Sequence, residues 1–77
     1  MKMFKIYTKD DCPWCDLAKD LLKRKGHNFK ELKLGIDFTR EELASILPAK
    51  LKLTVPQVFL NDTRIGGYEN LKDYFFE

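Results

Sequence analysis

The 77-residue chain has room for one domain, spanning residues 1–77, in which folding buries only about 60% of the surface that the extended chain exposes. Its formal net charge of +2, from 14 basic and 12 acidic residues, is too small to indicate a nucleic-acid-binding protein. Charged residues interrupt every apolar stretch near the N-terminus, so we expect neither a signal peptide nor a membrane span. These features favour a cytoplasmic protein.

The predicted elements alternate in type, which favours an α/β sheet with helices packed against it. The first strand is predicted over about residues 2–8. The first helix is predicted to start at Cys12, with Pro13 at the first helical position, and to end at Gly26 as a left-handed cap. Its predicted inner face consists of Trp14, Leu17, Ala18, Leu21 and Leu22.

The second strand is predicted over residues 28–34, with one buried face, and Gly35 and Asp37 close it. Thr39 and Glu42 have the spacing of a capping box, which predicts the start of a second helix that Pro48 ends or kinks. The predicted apolar stripe of this helix is Leu43, Ile46 and Leu47.

A third and a fourth strand are predicted over residues 57–60 and 63–65, and the short turn between them predicts an antiparallel hairpin. Two glycines then lead into a last helix. Its predicted inner side carries Leu71, Tyr74 and Phe75.

The only two cysteines, Cys12 and Cys15, are two residues apart, between the first strand and the first helix. A disulfide between them closes almost no loop and removes little entropy from the unfolded chain, so it is not a structural staple. In a reducing cytosol such a pair is more often catalytic or metal-binding than permanently bridged. The spacing therefore predicts a redox-active dithiol.

Attack on a disulfide requires a thiolate, which unpaired N–H groups at a helix start stabilise. This favours Cys12 as the nucleophile, since Cys15 lies one turn inside the helix. Lys9 is either a second source of positive charge or a solvated loop residue, whereas Asp10 and Asp11 act in the opposite direction and are expected to point into water.

The side chain between the cysteines, Trp14, either covers the reactive sulfur as a partly exposed lid or anchors the first helical turn in the core, and we favour the exposed position. Two thiolates at this spacing also form half of many zinc sites. No further cysteine exists and His27 is predicted at the far end of the helix, so one chain cannot complete a tetrahedral site. We expect no metal and no catalytic role for His27.

Three motifs, TKDDCPWC at 8–15, TVPQVF at 54–59 and IGGY at 65–68, occur in an order and spacing that resemble a dithiol glutaredoxin of the short bacterial and phage type. The resemblance covers essentially the whole chain. It implies a thioredoxin fold, with a four-stranded mixed sheet flanked by three helices, and a groove for glutathione beside the dithiol.

The resemblance assigns Thr54, Val55 and Pro56 to the rim of this groove. Pro56, which is cis in the family, cannot donate to a strand ladder, so the backbone of Val55 is left open to pair with the cysteinyl part of glutathione. Without the family, the same segment would simply lead into a strand.

The start of the last helix is implied to hold the γ-glutamyl group, with Gly67 allowing close approach and the N–H groups of Tyr68 and Glu69 binding its carboxylate. The family commonly has a small residue and two aspartates where this chain has Tyr68, Glu69 and Asn70. The ammonium of glutathione would then meet Glu69, which charge favours, or Asn70.

Many relatives carry a basic or amide residue at the position of Leu53. In its absence Lys9, with help from Lys50 or Lys52, is expected to meet the glycyl carboxylate of glutathione.

The predicted function is that of a glutathione-disulfide oxidoreductase, in which Cys12 attacks, Cys15 resolves and glutathione is the reducing co-substrate. The expected substrates are disulfide-containing or glutathionylated proteins, with ribonucleotide reductase suggested by the resemblance alone, and the protein is expected to be a monomer. One alternative is a redoxin reduced by thioredoxin reductase. The other is an iron–sulfur module shared by two chains, against which Pro13 speaks.

Overall fold

The computed structural model describes residues 2–76, in which strands and helices alternate along the chain. The strands are β1 (Phe4–Thr8), β2 (Phe29–Lys33), β3 (Gln57–Leu60) and β4 (Thr63–Gly66). The helices are α1 (Pro13–Arg24), α2 (Arg40–Ser45) and α3 (Tyr68–Phe75). The third strand has the predicted bounds, and the fourth extends one residue further than predicted.

The four strands form one mixed sheet in the order β2-β1-β3-β4. The pair β1–β2 is parallel, and β1–β3 and β3–β4 are antiparallel, which confirms the predicted hairpin. Tyr7 near the end of β1 faces Gln57 at the start of β3. The loop that follows β1 and the segment that precedes β3 therefore meet at the same end of the two central strands, although about 40 residues separate them in the sequence.

Each face of the sheet has its own apolar cluster, so the fold has helices on both sides. The first cluster joins the sheet to α1 and α3 and contains Phe4, Ile6, Ala18, Leu21, Leu22, Val58 and Leu71. The second joins the sheet to α2 and contains Phe38, Leu43, Leu47 and Phe59. Both faces of the short strand β2 are partly covered, since Phe29 packs on the first cluster and Leu32 on the second, whereas one buried face was predicted.

Helix α1 begins and ends as local sequence signals predict. Cys12 is its N-cap and Pro13 its first residue, where the missing N–H has no helical partner to lose. Beyond the last turn, Gly26 adopts a φ of +77°, and the N–H of His27 donates to the carbonyl of Leu22 at 3.0 Å. This is the Schellman arrangement that favours glycine after a helix.

The predicted inner face of α1 is wrong at two positions. Trp14 and Leu17 are 54% and 43% exposed, whereas Cys15 is buried. The stripe that contacts the sheet runs through Cys15, Ala18 and Leu22, at intervals of three and four residues. Trp14 lies about 100° around the helix from Cys15 and so falls beside this stripe.

Helix α2 has the predicted capping box: the Glu42 N–H donates to Thr39 Oγ1 at 3.1 Å, and the Thr39 N–H donates to Glu42 Oε1 at 2.8 Å. The helix ends at Ser45, before Pro48, which disfavours helical geometry in the residue preceding it. Because the helix is short, Ile46 lies past its last turn and is exposed, which corrects its predicted place in the apolar stripe.

The predicted inner side of α3 is correct for Leu71, which is fully buried, and for Phe75, which packs against the first cluster. Tyr74 is exposed instead. Its ring meets the rings of Phe4 and Phe75 edge-on at the border of this cluster.

Candidate functional site

The two cysteines lie where β1 leads into α1, and a disulfide joins them with their Cα atoms 5.2 Å apart. They are unequally placed, as predicted, since Cys12 is 7% exposed and Cys15 is 1% exposed. Cys12 is thus the more accessible sulfur, although the chain around it covers most of its surface.

The sulfur of Cys12 occupies the start of α1. It accepts a hydrogen bond from the Cys15 N–H at 3.2 Å, and it lies 4.0 Å from the carbonyl oxygen of Val55. The first N–H groups of a helix have no carbonyl partner within the helix, so they stabilise an anion placed at this point. In the reduced protein the same geometry favours the thiolate of Cys12 over that of Cys15.

A groove of about 370 Å³ runs between the start of α1, the segment before β3 and the start of α3. It brings together eight predicted glutathione-binding residues: Trp14, Thr54, Val55, Pro56, Gly67, Tyr68, Glu69 and Asn70. Leu51, Gln57 and Arg64 also line it, and sequence reasoning missed them. The peptide bond between Val55 and Pro56 is cis.

Lys9 lies outside this groove. It lines a smaller cavity of about 80 Å³, together with Arg40 and Leu53, and Thr54 and Val55 separate the two spaces because they line both. Sequence reasoning paired Lys9 with Lys50 or Lys52, yet those lysines line neither space in the described part of the chain. Arg40 was missed because the second cluster, not any local signal, brings α2 beside the loop of Lys9.

Two aromatic rings form one wall of the groove. Trp14 on α1 and Tyr68 on α3 have ring centroids 5.7 Å apart at an angle of 41°. The Nζ of Lys72 lies 5.7 Å from the centroid of Tyr68. The exposed position favoured for Trp14 is confirmed, and the residue presents a large apolar surface one position from Cys15.

The start of α3 depends on Gly66 and Asn70. Gly66 has a φ of +124°, and a Cβ at this position would overlap the Asn70 side chain. Asn70 Oδ1 accepts a hydrogen bond from the Gly67 N–H at 3.1 Å, which ties the side chain to the start of the helix. Glu69 is exposed, with Oε1 3.4 Å from Lys72 Nζ.

A buried amide links the rim of the groove to β4. Gln57, only 2% exposed, donates from Nε2 to the Thr54 carbonyl oxygen at 3.0 Å, and its Oε1 accepts from Arg64 Nε at 3.1 Å. Because a carbonyl can only accept, Nε2 must face Thr54 and Oε1 must face Arg64. Both ends of the amide are therefore satisfied.

Two ion pairs support the loop that carries Cys12. Asp10 is exposed as expected, but it lies 3.2 Å from Lys33 Nζ, and their hydrogen bond raises the pKa of Lys33. On β2, Glu31 Oε2 accepts from the buried Thr8 hydroxyl at 2.7 Å and from Lys19 Nζ at 3.1 Å. The Thr8 hydrogen bond is the largest cause of a lowered pKa for Glu31; partial burial opposes it, and Lys19 adds to it.

Within residues 2–76 no helix is both long enough and apolar enough to cross a membrane. The same residues contain no group of three or more His, Cys, Asp or Glu side chains placed to hold a metal ion.

Residues 4–65 match the family model described as Glutaredoxin. Glutaredoxin 3 of Escherichia coli (strain K12) is 42% identical over 72 residues, which are 92% of this chain and 83% of that protein. A hybrid peroxiredoxin of Haemophilus influenzae is 44% identical over 70 residues, or 91% of this chain, but the match spans only 28% of that longer protein.

Among solved structures, glutaredoxin 1 from Francisella tularensis, complexed with cacodylate, superposes with a TM-score of 0.77 at 31% identity, covering 95% of this chain and 91% of that one. With the four-stranded mixed sheet and three helices described above, this similarity confirms the predicted thioredoxin fold.

Proposed function

This chain belongs to the glutaredoxin family, and from that premise we propose that it is a thiol–disulfide oxidoreductase that takes its electrons from glutathione. The observation that carries the proposal is the position of Cys12. Its sulfur caps α1 and lies 4.0 Å from the carbonyl oxygen of Val55, a residue that lines the groove of about 370 Å³.

In the reaction proposed, the Cys12 thiolate attacks one sulfur of a substrate disulfide. The substrate S–S bond breaks, and the leaving sulfur takes the electron pair and then a proton from water. Cys15 loses its proton and attacks the Cys12 sulfur, which releases the second substrate thiol and leaves the Cys12–Cys15 disulfide. The exposures of the two residues, 7% for Cys12 and 1% for Cys15, fit an attacking and a resolving role.

Two glutathione molecules restore the dithiol. The first attacks the Cys12 sulfur, which frees Cys15 as a thiol and forms a mixed disulfide on Cys12. The second attacks the glutathione sulfur of that mixed disulfide, so glutathione disulfide leaves and Cys12 regains its thiolate. The two electrons that reduce the substrate thus come from two glutathione thiols.

The groove supports binding of glutathione in an extended form. Val55, in the segment before β3, lines the groove, and we expect its N–H and carbonyl to pair with the cysteinyl residue as an added strand. The cavity lined by Lys9 and Arg40 supplies positive charge for the glycyl carboxylate, so Arg40 replaces the lysines suggested from the sequence. The N–H groups at the start of α3, at Tyr68 and Glu69, receive the γ-glutamyl group.

The proposed substrates are glutathionylated proteins and protein disulfides in the cytoplasm, and ribonucleotide reductase is one candidate recipient. An extended peptide reaches Cys12 beside the exposed ring of Trp14, which contributes apolar contact area. One chain contains every residue that this scheme uses, which fits a monomer.

The test is consumption of NADPH with a low-molecular-weight disulfide as substrate. One reaction contains glutathione and glutathione reductase, and the other contains thioredoxin reductase alone. We expect turnover only in the first, with the Cys12→Ser variant inactive. Turnover with thioredoxin reductase and none with glutathione would favour a thioredoxin-like reductant, an alternative kept open by the departures at Glu69 and Leu53.

A further inference from the structure

Arg64 places a positive charge in the groove at a position that the sequence motifs do not include. Among residues 2–76, the charged side chains that line this groove are Arg64 on β4 and Glu69 on α3. The rest of the lining is apolar or neutral, with Trp14, Leu51 and Tyr68 as its largest members. The groove thus contains one cation and one anion in surroundings that are mostly apolar.

The position of Arg64 follows from the pairing of β3 and β4. Arg64 lies opposite Phe59, and Gln57 lies two residues before Phe59, on the same face of the sheet. Gln57 is thus the diagonal neighbour of Arg64 on the paired strand, and a long side chain can reach a residue in that position. The Arg64 side chain therefore extends along β3 toward the Thr54 rim, where Nε meets Gln57 Oε1 at 3.1 Å.

This contact fixes the guanidinium. Gln57 is buried and is itself held by the Thr54 carbonyl, so the Nε of Arg64 has a rigid acceptor. The two terminal nitrogens of the guanidinium supply four further N–H donors in the same plane. Within residues 2–76, no carboxylate lies within 4.0 Å of Arg64 to neutralise it. Such a planar fork is suited to a carboxylate ligand.

Asn70 and Glu69 contribute a donor group and a negatively charged acceptor to the same groove. Asn70 Oδ1 accepts from the Gly67 N–H, and the NH2 of the same amide is a donor group suited to a carboxylate and not to an ammonium. Glu69 is the acceptor in the groove that carries a negative charge. Its exposed pair with Lys72, at 3.4 Å, is of the kind that contributes little and exchanges readily.

We propose that Arg64 is a specificity-determining residue that binds the α-carboxylate of the γ-glutamyl end of glutathione, while Glu69 binds the ammonium on the same carbon. The inference rests on the proposed function, since it names the residues that distinguish glutathione from other thiols. Arg64, held by Gln57, adds a side-chain cation to the N–H groups at the start of α3.

The experiment compares glutathione with two analogues that differ from it only at this end. Each is supplied as its mixed disulfide with 2-mercaptoethanol: glutathione, N-glutaryl-cysteinylglycine, which keeps the carboxylate but lacks the ammonium, and N-butanoyl-cysteinylglycine, which lacks both. The reduced Cys15→Ser protein is mixed with each disulfide, and mass spectrometry of quenched samples gives the second-order rate of adduct formation on Cys12. The Cys12 thiolate attacks the sulfur of the analogue, and 2-mercaptoethanol leaves as the thiolate and takes a proton from water.

In this background, Arg64→Gln should lower the rate about tenfold with glutathione and with the glutaryl analogue, the factor that corresponds to one charge-assisted hydrogen bond. It should change the rate with the butanoyl analogue less than about twofold, whereas a structural defect would lower the rate with all three compounds. Glu69→Gln should lower the rate with glutathione alone. Arg24→Gln, on the exposed face of α1, is the matched control and should change none of the rates.

Equal losses of rate with all three compounds, or no loss with any of them, would overturn the assignment of Arg64. If the unmodified groove already reacts equally with glutathione and the butanoyl analogue, the proposed use of glutathione fails as well. If it prefers glutathione and Arg64→Gln keeps that preference, only the role of Arg64 is wrong.

Discussion

Replacing Glu31 by glutamine tests the contacts that hold β2 and α1 against the end of β1. The carboxylate of Glu31 accepts from the Thr8 hydroxyl at 2.7 Å and from Lys19 Nζ at 3.1 Å. Glutamine keeps the shape and one acceptor oxygen but loses the charge. The change therefore isolates the electrostatic part of the contact and leaves no large cavity.

The expected loss of unfolding free energy at neutral pH is about 1–2 kcal/mol. A hydrogen bond to a charged group contributes about 1.5–3 kcal/mol and a neutral one about 1 kcal/mol, which sets the difference at the Thr8 contact. The pair with Lys19 adds less than about 1 kcal/mol, because the side chains of Lys19 and Glu31 remain 25% and 30% exposed. For a domain of this size, 1 kcal/mol lowers Tm by about 4–8 °C.

The loss should depend on pH in one direction. The pKa of Glu31 is lowered from its ordinary value of 4.5 in the folded protein, so the ionised carboxylate stabilises the fold above that value. As the pH falls through the lowered pKa, the folded protein takes up the proton and this contribution disappears. The unmodified protein and Glu31→Gln should therefore differ most near neutral pH and converge in acid.

Urea unfolding followed by far-ultraviolet circular dichroism, at about pH 7 and at about pH 3, measures this difference. Asp62→Asn is the matched control, since it removes a carboxylate in the exposed turn between β3 and β4. A loss for Glu31→Gln that is the same at both pH values, or no larger than that of the control, would refute the reasoning.

Four further results are expected. The rate of Cys12 alkylation in the reduced Cys15→Ser protein should have its pH midpoint well below 8.5, which is about the pKa of a free thiol, and a midpoint at the free value would reject activation by the start of α1. The Cys15→Ser variant should keep activity on small glutathionylated disulfides, whereas the Cys12→Ser variant should keep none. Lys9→Ala should raise the glutathione concentration that gives the half-maximal rate severalfold at low salt and less at high salt, because salt screens the charge of Lys9. Unchanged kinetics would mean that Lys9 is a solvated loop residue. Leu22→Ala should cost about 2–5 kcal/mol in urea unfolding, against under about 1 kcal/mol for the exposed Leu17→Ala, and equal losses would contradict the described core.

Features that depend on neighbouring residues could be predicted from the sequence. The N-cap at Cys12, the Gly26 cap and the capping box at Thr39 each involve hydrogen bonds between residues at most five positions apart. The hairpin of β3 and β4 is closed by a two-residue turn. Local chemistry determines such features before the chain folds, so the dithiol at a helix start was predictable without any tertiary information.

The motifs also predicted most of the groove, because the resemblance carried eight of its residues. The exposed side of α1 was not predictable in the same way. Trp14 and Leu17 fit an apolar helical face in the sequence, yet the rotation of α1 against the sheet places Cys15 inward and leaves both of them in solvent. Periodicity gives the spacing of a face and leaves its borders to the packing partner.

Only the tertiary structure decided which charges meet at the groove. Arg64 reaches Gln57 because of the register between β3 and β4, which shifts at an irregularity between Val58 and Phe59. A shift of one residue would send Arg64 to the opposite face of the sheet, and no local signal specifies it. Arg40 likewise comes beside Lys9 only because the second cluster packs α2 against the sheet, so this contact depends on the tertiary fold.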